Sequence, residues 1–296
     1  MVTNTFANYG LGLAELSDPV GDCVQRLEQN FAAPGFQLPM LPKTAWEVRR
    51  LTHNPQLKAE QVLAVIRTDA TLAAALLTQA RRPVHGTRPL ESLEQACLRI
   101  GVDGMRELVM QTSKRTQVFR APEYEPKVRE LMRFAQVRSR LCKAINHHSR
   151  IPQPLASMCA LLADLGMATA LMSLGQVPRG ESAPPLAIAW QAAQESHPLI
   201  AAQVSKTWDL PEGVLSVFRH HHHVYVAEVP NPITATLLVA SAVAEHLTLA
   251  LRGPDGMQLR EERAEVNGAR RLLGLNTDKM KRIVAQARTM QLDKVT

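Results

Sequence analysis

Apolar positions recur at helical spacing through most of the chain. Val48 and Leu51 begin one face, and Val62, Leu63, Val65 and Ile66 continue another after the Asn54-Pro55 break. Thr68 or Asp69 supplies an N-cap for a helix through Leu72, Leu76 and Leu77. The loop from Arg81 to Pro89 leads to a helix holding Leu93, Ala96, Cys97 and Ile100. Gly101 ends it, and Met105 to Ser113 forms the next. Longer helices are predicted near 127–149, 154–172, 184–206, 212–222 and 232–251. A Gly-Pro-Asp-Gly turn at 253–256 and two closing helices split by Gly274 follow. No segment reads as a strand.

The predicted fold class is therefore all-α, with two helical bundles in series. Residues 1–24 are polar and irregular and read as a loosely ordered arm. Pro34 to Thr44 is extended, because Pro39 and Pro42 forbid an early helix. Pro122 and Pro126 mark the boundary between a first lobe, 25–121, and a second, 122–296.

Composition sharpens this picture. Aromatic residues are only 4% of the 296, so a core must be built from Leu, Ala, Val, Ile and Met, a mixture that favours helix packing over sheets. Cys23, Cys97, Cys142 and Cys159 show no metal-ligand spacing and read as reduced, buried side chains in a cytoplasmic protein. The first sixteen residues lack the pattern of a signal peptide. Two apolar stretches approach membrane-spanning length, but Asp164 interrupts the first, and Glu245 and His246 the second; both read as core helices and no membrane association is expected. The net charge of +7 admits an acidic partner or an anionic ligand. Nucleic acid is not expected, because no zinc finger, basic zipper or interleaved aromatics accompany the charge.

Several motifs occur in a fixed order: LPMLP at 38–42, TDATL at 68–72, PLESLEQACLRIG at 89–101 and LLADLGMATAL at 161–171. ESHPLIAAQVSKTWDLP at 195–211 and FRHHH at 218–222 complete the series. Together they resemble the HDOD family, the HD-related output domains, whose second bundle is similar to that of HD phosphohydrolases. The resemblance implies a bacterial setting and a place in two-component or cyclic-dinucleotide signalling.

In HD phosphohydrolases a metal centre uses a helix His, a His-Asp pair, further His residues and a late Asp, ligands suited to divalent ions. Carried onto this chain, the first His position is Phe134, the His of the pair is Ala163, and the late Asp falls at Ser241. Asp164, His197, His220 and His221 remain. The resemblance thus implies a degenerate centre with no metal, no cofactor and no catalysis.

Arg138 falls in the middle of an apolar helix face one turn from Phe134. Either it snorkels outward or its guanidinium pairs with Asp164. The opposite face carries Arg129, Arg133, Arg140 and Lys143, which is a solvated stripe or a face for a partner or anionic ligand. No Walker loop, GxGxxG, GxSxG or kinase motif is present. The expectation is a non-catalytic regulatory module that binds a protein partner or a small anionic ligand. The alternatives are a residual metal-dependent phosphohydrolase and a cyclic-dinucleotide receptor.

Overall fold

The computed structural model describes residues 18–32, 47, 50, 51, 58–86, 88–115, 121–178, 180–207, 212–290 and 292. The LPMLP segment at 38–42, the Asn54-Pro55 break and the Trp208–Pro211 end of the long motif lie outside them. Helix α1 spans Asp18–Ala32, α2 Ala59–Ile66, α3 Ala70–Ala80 and α4 Leu93–Arg115. The second bundle holds α5 Glu125–His148, α6 Ala156–Leu162, α7 Leu165–Gly175, α8 Leu186–Thr207 and α9 Glu212–His220. It continues with α10 Pro232–His246, α11 Arg263–Leu273 and α12 Thr277–Thr289. The all-α class is as predicted.

Local chemistry sets several boundaries. Asp69 Oδ1 accepts the Leu72 N–H at the start of α3, and Gly101, at φ +67°, breaks α4 into two helical segments. Pro126 sits in the first turn of α5, where its missing N–H costs nothing. Asn231 caps α10 by accepting from Ile233 and Thr234. Gly274, in the left-handed region, closes α11.

Three expectations are corrected. The arm predicted for 1–24 is helical from Asp18: Val20, Cys23 and Val24 are buried, so α1 is held by its own apolar face. That helix lies against the second bundle, where Asn30 donates to Ser173 Oγ at 2.9 Å and Arg26 reaches the Gln176 carbonyl at 3.3 Å. The single helix expected over 154–172 is two helices, because the backbone turns at Asp164, with φ −89° and ψ 9°. Finally, a small antiparallel hairpin pairs Tyr225–Val226 with Val229–Pro230. Its turn residues, Ala227 and Glu228, both have positive φ. Such turns favour Asn and Gly, so the usual sequence signal was missing.

The apolar stretch through α6 and α7 is long enough to cross a membrane by composition, yet it is wholly buried within the protein. Every residue of α7 is buried. Gly166 lets α7 approach α8 very closely: a Cβ there would stand 2.0 Å from the His197 carbonyl oxygen. This contact fixes His197 against the turn carrying Asp164.

Candidate functional site at a buried His/Asp centre

The turn between α6 and α7 delivers Asp164 to the interior, and α5 delivers Arg138 from the opposite wall. Arg138 Nη2 lies 2.7 Å from Asp164 Oδ2, with both side chains buried. The spacing on α5 had left two readings, and this is the inward one. The approach is one-pronged: among the described residues Nε of Arg138 and Oδ2 of Asp164 lack an aligned hydrogen bond, while Nη2 also donates to the Ala160 carbonyl at 3.3 Å. The guanidinium stands 5.3 Å from the centre of the Phe134 ring, a cation–π contact. Ala163 is buried beside Asp164 and offers no ligand.

His197 owes its orientation to the proline that follows it. Pro198 lies inside α8 and has no N–H to donate one turn back, which frees the Gln194 carbonyl. His197 Nδ1 donates to that oxygen at 2.8 Å. His221, just past the end of α9, donates Nδ1 to the Phe218 carbonyl at 2.9 Å. His222 pairs through Nδ1 with Glu261 at 2.9 Å. Because a carbonyl can only accept, the Nε2 atoms of neutral His197 and His221 carry lone pairs.

These Nε2 atoms converge. His197 Nε2 lies 3.3 Å from the Nε2 of both His221 and His222, and Asp164 Oδ1 is 3.7 Å from His221 Nε2. The ligand atoms of the three histidines all lie within 4.8 Å of one another. A tetrahedral ion about 2.0–2.1 Å from each nitrogen would hold its ligands about 3.3–3.4 Å apart. Backbone carbonyls and a carboxylate anchor the outer nitrogens, as they do around imidazole-bound metals. The residues fit one divalent cation of the kind that imidazole prefers. The His222 side chain is 42% exposed, so the trio opens to water on that side.

Electrostatics follow from the same contacts. Burial alone would raise the Asp164 carboxyl, but the Arg138 guanidinium, followed by His221 and His197, holds it well below the usual carboxylate range. Burial, then its histidine neighbours, pulls His197 down to about 3. Burial and His222 also depress His221, so both rings are neutral near pH 7. His222 is the exception: burial opposes its charge, yet the hydrogen bond and charge of Glu261 raise it.

Sequence reasoning named His220 and missed His222. His220 is the last residue of α9 and is only half-buried, while the turn beyond the helix swings His221 and His222 into the centre. Glu261 was also missed, since it sits in a charged run with no motif. Ser241, at the supposed late-Asp position, is buried and its hydroxyl has no hydrogen-bond partner among the described residues.

The basic stripe on α5 divides. Arg129 pairs with Glu125 on its own helix, and Arg133 is half-buried. Arg140 and Lys143 instead line a cleft against the first bundle, where Lys143 bonds Glu94 at 3.0 Å. The cleft itself was not foreseen, because its other wall comes from Arg67 and Glu94.

Comparison with known proteins supplies the family. The HDOD domain model matches residues 38–224. The chain belongs to the HDOD family. An uncharacterized protein of Treponema pallidum (strain Nichols) is 24% identical to this HDOD protein over 221 residues. The match covers 71% of this chain and 42% of that protein, so the chain spans less than half of the relative's length. Among solved structures, the MmoQ response regulator from Methylococcus capsulatus aligns with a TM-score of 0.58 at 20% identity, over 86% of this chain and 99% of that one. A virulence factor from Campylobacter jejuni aligns at 0.54 with 17% identity, over 91% and 94%. Both share the fold of this chain.

Proposed function

We propose that this HDOD protein is a non-catalytic regulatory module in bacterial signalling, working in the cytoplasm through a protein partner or a small anionic ligand. The observation that carries the proposal is the Arg138–Asp164 pair at 2.7 Å. A guanidinium is permanently charged and occupies the carboxylate from which an HD phosphohydrolase would hold metal. Phe134 and Ala163 remove two further ligands. The match to the family and the response-regulator relative support the signalling setting. The free, buried cysteines accord with a reducing compartment.

A second reading, residual metal-dependent phosphohydrolase, is favoured by the convergent Nε2 atoms of His197, His221 and His222. A metal bound there would supply an activated water. Arg138 would oppose that charge, and Asp164 would be held away as its partner.

The deciding experiment is hydrolysis of nitrophenyl phosphate mono- and diesters and of mono- and cyclic dinucleotides, with manganese, iron or zinc added to chelator-treated protein. No turnover above background is expected. Turnover that disappears in His197→Ala, with the circular dichroism unchanged, would establish the phosphohydrolase reading. Calorimetry against the cyclic dinucleotides tests the remaining alternative, a cyclic-dinucleotide receptor.

A further inference from the structure

A cleft of about 510 Å³ separates the first bundle from α5 and α6, and none of the residues of the His/Asp centre lines it. That is ample for a small organic ligand, whose pockets run from about 300 to 1,000 Å³. Its charged lining is three cations, Arg67, Arg140 and Lys143, against one carboxylate, Glu94.

Glu94 is held by both walls through a single oxygen. Arg67 Nη2 approaches Glu94 Oε1 at 2.5 Å from the first bundle, and Lys143 Nζ approaches the same atom at 3.0 Å from α5. Burial would raise this carboxyl, but its own backbone N–H, Lys143 and Arg67 bring it down to about 2. Arg140 has no carboxylate partner among the described residues. It lies three positions before Lys143, so both project toward the same side of α5.

We propose that this cleft binds a phosphorylated small molecule of nucleotide size, and that Glu94 is the internal anion that its phosphate displaces. A phosphate offers more charge than a carboxylate and three acceptor oxygens, which suits the arginine and lysine that meet at Glu94 and the Arg140 that lines the same cleft. Displacing Glu94 costs little, because the Arg67 and Lys143 side chains are about half exposed and water screens both pairs. The N-terminus of α4 borders the cleft at Leu93 and Glu94 and adds its positive end. Ser139 and Ser157 provide hydroxyls, while Met158 and Leu161 form an apolar wall for the body of the ligand. The phosphate would take over the tie between the two bundles that Glu94 and Lys143 now make. The proposal involves no residue of the buried centre, so it stands or falls apart from the question of hydrolysis.

The test is calorimetry on the full chain with sodium pyrophosphate and with ATP, in magnesium-free buffer at low salt. ATP is expected to bind more tightly than pyrophosphate. Combining Arg140→Ala with Lys143→Ala should weaken ATP at least tenfold, and Glu94→Gln should tighten it several-fold by freeing two cations. Arg129→Ala should leave binding unchanged, and circular dichroism should show all variants folded. No heat from either compound at millimolar concentration, or equal affinity in the doubly substituted protein, would overturn the proposal. So would weaker binding in Glu94→Gln. Pyrophosphate binding as tightly as ATP would overturn the nucleotide-sized ligand.

Discussion

Replacing Arg138 with methionine isolates the electrostatic role of this residue. Methionine keeps much of the unbranched stem, so the cavity contribution is small and the main loss is the charge beside Asp164. Arg138 is 1% exposed and Asp164 8%, so water does not readily take over from the guanidinium. Removing one partner of a buried ion pair costs about 3–5 kcal/mol, since the other charge is left uncompensated. The contact is one-pronged and Nε lacks a partner, which places Arg138→Met at the lower end, about 3 kcal/mol. Adding Asp164→Asn removes the stranded charge. The double variant should then cost less than the two single changes together by about 1–3 kcal/mol. Urea unfolding of chelator-treated protein, followed by circular dichroism, measures all four corners of the cycle.

The same substitution has a second readout. If the guanidinium competes with a metal for this centre, Arg138→Met should bind zinc at least tenfold more tightly than the parent, about 1.4 kcal/mol. A destabilisation below about 1 kcal/mol, the size of an exposed pair, together with additive single changes, would refute the account of Asp164 as a carboxylate held by Arg138.

Gly166→Ala should destabilise the protein by at least the 1–3 kcal/mol typical of overpacking, because its methyl would stand 2.0 Å from the His197 carbonyl oxygen; a melting temperature equal to the parent's would contradict the close approach. In metal-free protein, stability should fall as pH drops below 6.5: His197, depressed to about 3, stays neutral when folded while the unfolded chain takes up a proton, and the lowered His221 acts in the same direction. His197 contributes about 1.4 kcal/mol per pH unit, and a flat urea midpoint between pH 6.5 and 4.5 would rule this out. The Asp164 carboxyl, lowered on folding, contributes stability above its unfolded value near 4 that is lost as pH falls further toward its folded value. Reversing Arg129 and Arg133 to Glu should shift stability by no more than about 1 kcal/mol, and a larger loss in urea unfolding would show that these side chains support the fold.

The helical period made the fold class and most helix positions legible, because buried apolar faces repeat at the spacing that a helix requires. Gly101 and Gly274 act where the sequence places them, through backbone conformations that other residues resist. The turn at Asp164 was hidden, because Leu162, Ala163 and Leu165 continue the apolar pattern around it and neither Pro nor Gly stands at the bend. It is tertiary packing against Arg138 and α8 that makes the bend favourable. The buried centre was legible where a residue type was out of place, as with an arginine on an apolar face. It was illegible where four successive histidines offered the same chemistry: only the end of α9 at His220 decides that His221 and His222 turn inward. Glu261 lies far along the chain from the ring that it orients, and no spacing rule connects the two.

Both polar centres of this protein meet on α5, and in both the chain supplies its own counter-ion. Arg138 brings positive charge to an aspartate that borders the histidine centre through His221. Glu94 brings negative charge to a cleft lined by Arg67, Arg140 and Lys143. The two cases differ in how firmly that counter-ion is held. The Arg138–Asp164 pair is buried, so breaking it strands a charge in a poorly solvated interior, and an incoming cation must overcome that cost before gaining anything from the histidines. The Glu94 pairs are exposed, and water compensates the carboxylate when it leaves. An external ion therefore exchanges readily at the cleft and only with difficulty at the buried centre. On the proposed reading, that ordering gives ligand response to the cleft and structural rigidity to the Arg138–Asp164 pair.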